Sequence, residues 1–359
     1  MGPLIPPLWI VGSGAVTAVG LTAPQTCAAF RAGISGFEIE LLSNPFGTEQ
    51  IVARIPSHWR LKRDPARWII NLAARAIREA FLEAQQTDLA SVERTALLVT
   101  PPESTRSHPC YDHVAPHDLL DFLLATVAMP FHSSSHVFDG GAAAGLLALS
   151  HANDLITKRA VDHVILVGMD SLLNPVDLDR LAVANRLSGV SNAQGVIPGE
   201  GAAAICLSGR APRLDDGVSC SILSVAAALE ADTVFSENFS QGRAFLSALQ
   251  NASRYGDADA EPLIDFVLSN GNGERYAALE MMIARSRFYR TRRSKLPVAY
   301  PAMAAGETGA ASAMLVLVIA RDAFKMGYAP GKLAMAEIAS DAGLRSVAML
   351  RSGVTSRLP

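Results

Sequence analysis

The stretch Val137-Phe138-Asp139-Gly140-Gly141-Ala142-Ala143-Ala144-Gly145-Leu146-Leu147-Ala148-Leu149, resumed at Val164-Ile165-Leu166-Val167-Gly168-Met169-Asp170, decides how this chain is read. Val137 and Phe138 are strand formers, and Gly140-Gly141 break the strand sharply. From Ala142 to Leu149 only small and aliphatic residues occur. A helix with no polar face in its first two turns must be buried on all sides. Polar residues return at Ser150, His151, Asn153 and Asp154, where the helix is expected to emerge, and Val164–Asp170 reads as the next strand. Strand, sharp turn and helix is a layout that many enzymes use to hold a nucleophile at a helix N-terminus. Here the turn carries no Ser, Cys, Thr or Lys.

Working outward, the 359 residues are 50% hydrophobic and 18% charged, enough for a large core or two. A net charge of −3 gives no electrostatic reason to expect nucleic acid. Cys27, Cys110, Cys206 and Cys220 are widely spaced and read as reduced thiols of a cytoplasmic protein. No signal peptide is expected, since the first residues lack a basic n-region. The longest apolar run, Ala310 to Ala320, falls short of the ~20 residues of a membrane span and reads as a core helix.

Before the central unit, Leu8–Val11 reads as a strand followed by a glycine turn, Gly12-Ser13-Gly14. Thr22 caps a helix that Gly33 ends, and Asp64-Pro65 opens a long amphipathic helix to about Gln86. Thr95–Thr100 is a buried strand, and Leu119–Met129 a short apolar helix. Beyond it, Gly199-Glu200-Gly201 leads into the strand Ala202–Leu207. The segment Arg210–Gly217 marks a junction, giving halves 1–210 and 211–359. The second half holds the strand Cys220–Ala228, a helix near Ser240–Tyr255 and the strand Asp265–Ser269. The turn Asn270-Gly271-Asn272-Gly273, the helix Arg275–Phe288 and a second all-apolar helix, Ala310–Ala323, follow. Two strands, near Leu333–Ala339 and Ser346–Leu350, close the chain. Each half thus has an apolar helix behind a glycine turn, and strands alternate with helices. The expectation is an α/β fold of two repeated halves, with mixed sheets around buried central helices.

With these pieces in order, the chain resembles the β-ketoacyl synthases of the thiolase-like fold over nearly its whole length. Ile10-Val11-Gly12-Ser13-Gly14-Ala15-Val16-Thr17-Ala18-Val19-Gly20 is similar to the family's opening strand. Phe30-Arg31-Ala32-Gly33-Ile34-Ser35-Gly36 is similar to its next element, and Val164–Asp170 resembles the strand after the nucleophile helix. Pro198-Gly199-Glu200-Gly201-Ala202-Ala203-Ala204 resembles a glycine–acid–glycine hairpin. Gly309-Ala310-Ala311-Ser312 resembles the end of a histidine motif. The resemblance implies a cysteine and two histidines. By alignment these positions hold Ala142, Asn272 and Gly306. All eight histidines lie at or before His163, so the second half has none. The family's glycine–phenylalanine gating loop survives as a trace in Ser340-Asp341-Ala342-Gly343-Leu344-Arg345.

A ketosynthase resemblance without its chemistry points to a chain-length-factor subunit, with no catalytic residue and no cofactor or metal. Such a subunit pairs with an active ketosynthase and walls the acyl or polyketide channel of an acyl-carrier-protein-dependent complex. The compact size and the short region after Pro102 point to the aryl polyene type. Leu119, Phe122, Leu123, Thr126, Phe131, Val137 and Phe138 are the channel and interface candidates, against the alternative of plain core packing. Arg290, Arg292 and Arg293, in a cluster with Arg287 and Lys295, are candidates for docking an acidic carrier protein, against the alternative of solvated surface. Glu280 is expected as a surface or helix-end carboxylate. The run His108, Cys110, His113 and His117 has no standard zinc spacing and reads as an interface loop. The competing functions are a stand-alone homodimer that binds an acyl chain or carrier protein, a decarboxylase, and a divergent active condensing enzyme.

Overall fold

The computed structural model describes residues 3–41, 49–56, 65–88, 90–106, 118–189, 192–212, 218–255 and 258–354. The run His108, Cys110, His113 and His117 lies outside the described residues. Strand β1 (Pro3–Thr17) is followed by α1 (Ala23–Arg31), the hairpin β2 (Phe37–Leu41) and β3 (Glu49–Ala53), and α2 (Pro65–Asp88). Then come β4 (Thr95–Thr100), α3 (Leu119–Val127), β5 (His136–Val137), α4 (Gly141–Thr157), β6 (His163–Ser171), α5 (Pro175–Val183) and β7 (Glu200–Ser208). The order continues with β8 (Val218–Leu229), α6 (Arg243–Ser253), the short hairpin β9 (Arg254–Tyr255) and β10 (Ala258–Asp259), β11 (Phe266–Ser269) and α7 (Arg275–Phe288). The last elements are β12 (Val298–Ala299), α8 (Ala302–Ala305), α9 (Ser312–Lys325), β13 (Leu333–Ala339) and β14 (Leu344–Val354).

The strand ladder runs β12-β11-β13-β14-β8-β1-β7-β6-β4-β5. Its two wings repeat one pairing scheme. In the first, β1 is antiparallel to β7 and β7 to β6, while β6, β4 and β5 are parallel. In the second, β8 is antiparallel to β14 and β14 to β13, while β13, β11 and β12 are parallel. The wings join where Leu8 and Trp9 of β1 pair with Ile222 and Ser221 of β8.

Alternation along the strands places the layers. On β4, Ala96 and Leu98 face a central core with α4 and α9, while Leu97 and Val99 face an outer core with α2 and α3. On β13, Ala334 and Ala336 face the same central core, while Met335 faces α6 and α7. The two apolar helices are therefore sandwiched between the wings. Burial of Ala142 through Leu146, Ala148 and Leu149 answers the missing polar face of α4.

Helix α1 is capped by the Thr22 side chain and starts with proline in its first turn. The segment Gly12-Ser13-Gly14 is not a turn; β1 runs through it. A Cβ on Gly12 would lie 2.1 Å from the Ala80 carbonyl oxygen, and one on Gly14 2.1 Å from that of Ala76. The glycines are there because the α2 backbone rests directly on the strand.

Candidate functional site

The carboxyl ends of β4, β6, β11 and β13 converge on the N-terminus of α4, where open α/β sheets place their ligand sites. Gly140 (φ 130°) and Gly141 (φ 67°) make the sharp entry to the helix. A Cβ on Gly141 would fall 2.6 Å from Oε1 of Glu103, so glycine is required for space as well as conformation. Ala142, 6% exposed, lines a cavity of about 80 Å³ together with Glu103, Asn272, Glu307, Ser340 and Asp341. That volume holds several water molecules and no extended acyl chain.

The walls are held by ion pairs. Arg106 grips Asp170 through two hydrogen bonds of 2.8 and 2.6 Å and reaches Asp177 at 3.0 Å. Arg186 bridges Glu274 (2.6 and 2.8 Å) and Asp341 (2.8 and 3.1 Å). Arg345 donates from Nε to both oxygens of Glu280. Asp170 also accepts from the Ala310 amide at 2.9 Å, tying the end of β6 to the turn before α9. Ser340 closes the head of α4: its Oγ accepts from the Ala143 amide at 2.8 Å and donates to the Gly140 carbonyl at 2.7 Å. One of the helix's unpaired N–H groups, which would otherwise attract an anion, is thereby used internally.

Ala142 and Asn272 do come together across the cavity. Gly306 does not join them. It ends α8 with φ 68°, and a Cβ there would point at the Cβ of Ala53, 2.7 Å away. The neighbouring side chain faces the cavity instead. Glu307 Oε2 accepts from Asn272 Nδ2 at 2.9 Å, and its Oε1 accepts from the Gly309 amide at 2.8 Å. The one-residue offset has a cause in the backbone: the Glu307 amide donates to the Ile197 carbonyl and the Glu307 carbonyl accepts from the Gly199 amide, which fixes which residue turns inward. Burial pushes the Glu307 carboxyl up to about 7, with Asn272 and Gly309 opposing. Burial also pushes Glu103 up to about 7, with Asp341 adding to the effect and Arg106 opposing it. Asp341 behaves oppositely: burial raises it, but Arg186 outweighs burial and leaves it below the ordinary carboxylate value.

Among the described residues, the lining contains no cysteine, histidine or lysine. Tyr276 donates to the Asp232 carbonyl, and its phenol is pushed up to about 12 by burial and Glu280. Ser340 is committed to two backbone groups. No nucleophile stands beside a base among these residues.

Elsewhere, Leu119 and Leu123 are fully buried among the outer core residues, where packing takes up their side chains. Phe122, Phe131 and Val137 are partly buried at the margin of that core, and Phe138 at the margin of the central one. Thr126 is half-buried and donates back to the Phe122 carbonyl. Arg290 and Arg292 are exposed, as are Arg287 and Lys295. Arg293 is not a free surface cation: it pairs with Glu261 at 2.6 Å and donates to the Ile264 carbonyl. Glu280 is not a surface carboxylate either; it is 1% exposed and locked to Arg345. Glu200, between its glycines, accepts from the Ile55 amide and from Trp68 Nε1 and so ties the start of β7 to the segment after β3 and to α2.

No family model and no curated protein matches the sequence. Solved structures do match. A ketosynthase in complex with its chain length factor from Xenorhabdus doucetiae superposes with a TM-score of 0.75 at 14% identity, covering 97% of this chain and 98% of that one. The ishigamide ketosynthase/chain length factor gives 0.73 at 17% identity, with 96% and 98% covered. The fold is that of a ketosynthase. A β-ketoacyl synthase from Burkholderia phymatum, at 0.72 and 16% identity, covers 98% of this chain and 100% of that one. The ketosynthase fold is thus present end to end, at an identity where fold persists and individual side chains do not.

Among the described residues no helix is long and apolar enough to cross a membrane, and Cys27, Cys206 and Cys220 are buried free thiols. Sequence reading missed Glu103, Arg106, Arg186 and Glu307. Only Glu307 carried a signal, as the acid inside Gly306-Glu307-Thr308-Gly309.

Proposed function

We propose that this chain is a non-catalytic, cytoplasmic chain-length-factor subunit. It pairs with an active β-ketoacyl-carrier-protein synthase and shapes the acyl or polyketide channel, in a polyene-type rather than an aromatic system. The observation that carries the reading is the head of α4. A site of ketosynthase architecture holds Ala142, Asn272 and Glu307, with Asn272 hydrogen-bonded to Glu307, among ion-paired walls without nucleophile or histidine. The two repeated halves, 1–210 and 211–359, build the fold, and no cofactor is involved. The partner strand would add at β5, whose outer edge is unpaired in the ladder of described residues. Around it, Phe122, Thr126, Phe131, Val137 and Phe138 form the interface and the channel margin. Arg290 and Arg292, with Arg287 and Lys295, offer the surface for an acidic carrier protein.

The test is co-expression with a ketosynthase encoded in the same operon, followed by size-exclusion chromatography and mass analysis. The expected result is a 1:1 complex, with this chain poorly soluble when made alone. Condensing activity should survive Asn272→Ala here and disappear when the ketosynthase loses its cysteine. A stable homodimer that ignores the ketosynthase would overturn the reading in favour of a stand-alone binding protein.

A further inference from the structure

The charges around the cavity at the head of α4 do not balance. Arg106 is taken by Asp170 and Asp177, Arg180 by Asp177, Arg186 by Glu274 and Asp341, and Arg345 by Glu280. Two lining carboxyls, Glu103 and Glu307, have no cation among the described residues within ion-pair distance. Glu307 is served by neutral donors, Asn272, the Gly309 amide and the Ser312 hydroxyl. Glu103 is only 9% exposed, and its buried Oε1 has no hydrogen-bond partner among the described residues. A buried acceptor left unmade is costly, and native proteins seldom leave one without a ligand or a water to serve it.

We propose that this cavity binds a small primary alkylammonium ion, held by the carboxylates of Glu103 and Glu307. Three properties select that class. A primary ammonium brings three N–H donors, matching an orphan acceptor and its neighbours, whereas a quaternary ammonium brings none. About 80 Å³ accommodates a head group with one or two carbons, and Ala142 and Leu172 supply an apolar wall for them. A bare metal ion is a poorer match, because the described residues bring no three His, Cys, Asp or Glu side chains into ligating distance. Both carboxyls sit near 7 without a ligand, so binding is proton-linked: the cation requires the ionised forms and is favoured as pH rises. The inference concerns the cavity alone and does not depend on the subunit reading.

The test is thermal unfolding of the full chain, alone or in its ketosynthase complex, with methylammonium chloride. Sodium, potassium and tetramethylammonium chlorides at equal ionic strength are the controls. Methylammonium is expected to raise Tm by about 2 °C at pH 8 and by less at pH 6. Glu103→Gln should abolish the rise, and Glu307→Gln should reduce it. No rise beyond sodium chloride, an equal rise with potassium, or a rise that survives both substitutions overturns the proposal. If a variant does not fold, the selectivity and pH dependence of the wild-type protein decide the matter by themselves.

Discussion

At the scale of single residues, the head of α4 combines a helix N-terminus with a ring of carboxyls. A helix N-terminus favours a thiolate. In this chain the surrounding carboxyls of Glu103, Glu307 and Asp341 oppose one. Ala142→Cys should therefore give an unreactive thiol. Iodoacetamide alkylation followed against pH should report a thiol pKa above the ordinary ~8.5, with no condensing activity; a value near 6 would sink the electrostatic account. The two raised carboxyls also predict an unusual stability profile. Their folded-state values, about 7, lie above the ordinary 4.5, so the native state holds protons that the unfolded chain gives up between those values. Stability from this pair is fully present at low pH and is lost as pH rises from about 4.5 through 7. Urea unfolding should show a decline on the order of 1–3 kcal/mol between pH 5 and pH 8, and Glu103→Gln should roughly halve it. Glu83 acts in the opposite window. Burial raises it, but Arg321 and Lys325 outweigh burial and hold it at about 2, so its contribution is lost only as pH falls from 4.5 toward 2. Few of these residues were legible in the sequence. The absence of histidine beyond His163 was visible without any alignment. The Glu280–Arg345 and Arg186–Glu274 pairs were not, because a long-range pair leaves no local pattern and an isolated charge reads as surface.

At the scale of elements, the central helices carry the fold. Gly145 of α4 meets α9 so closely that a Cβ would sit 2.8 Å from the Ala313 Cβ and 3.1 Å from the Met314 methyl. A β-branched side chain there must push apart a pair of helices that are themselves wedged between the wings. Gly145→Val should cost about 2–3 kcal/mol in urea unfolding, in the range of core overpacking; an unchanged midpoint would mean that the helices are not in contact. Elements were the most legible level. The bounds of α7 and β13 coincide with the sequence reading, because a glycine turn ahead of α7 and a buried apolar run in β13 are both local signals. The error at Gly12-Ser13-Gly14 shows the limit. Glycine marks either a turn or a close approach, and only the position of α2, packed across the sheet, tells which.

At the scale of the whole molecule, the duplication was legible from two glycine turns followed by apolar helices, but the ladder order was not, since strand neighbours are chosen by packing. The ladder makes one prediction about assembly. The Phe138 amide donates inward to the Val99 carbonyl, so the Val137 amide, alternating with it, points to the free edge of β5. Val137→Pro removes that outward donor and spares the inward bond. If the proposed pairing with a ketosynthase uses this edge, co-purification with it should fail or weaken at least tenfold, which corresponds to about 1.4 kcal/mol, while the circular dichroism spectrum stays unchanged; full retention of the complex would exclude β5 as the joint. The seam between the wings has a consequence for how the protein is made. Strand β1 is central in the finished ladder, yet its partners, Gly201–Ser208 of β7 and Ser221, Ile222 and Ser224 of β8, are synthesised far later. At about 5–20 residues per second, translation needs roughly 10–40 s to reach them. For that interval the nascent chain carries an apolar strand with two open edges, which makes β1 a natural client of a ribosome-associated chaperone and a point of misassembly during overexpression.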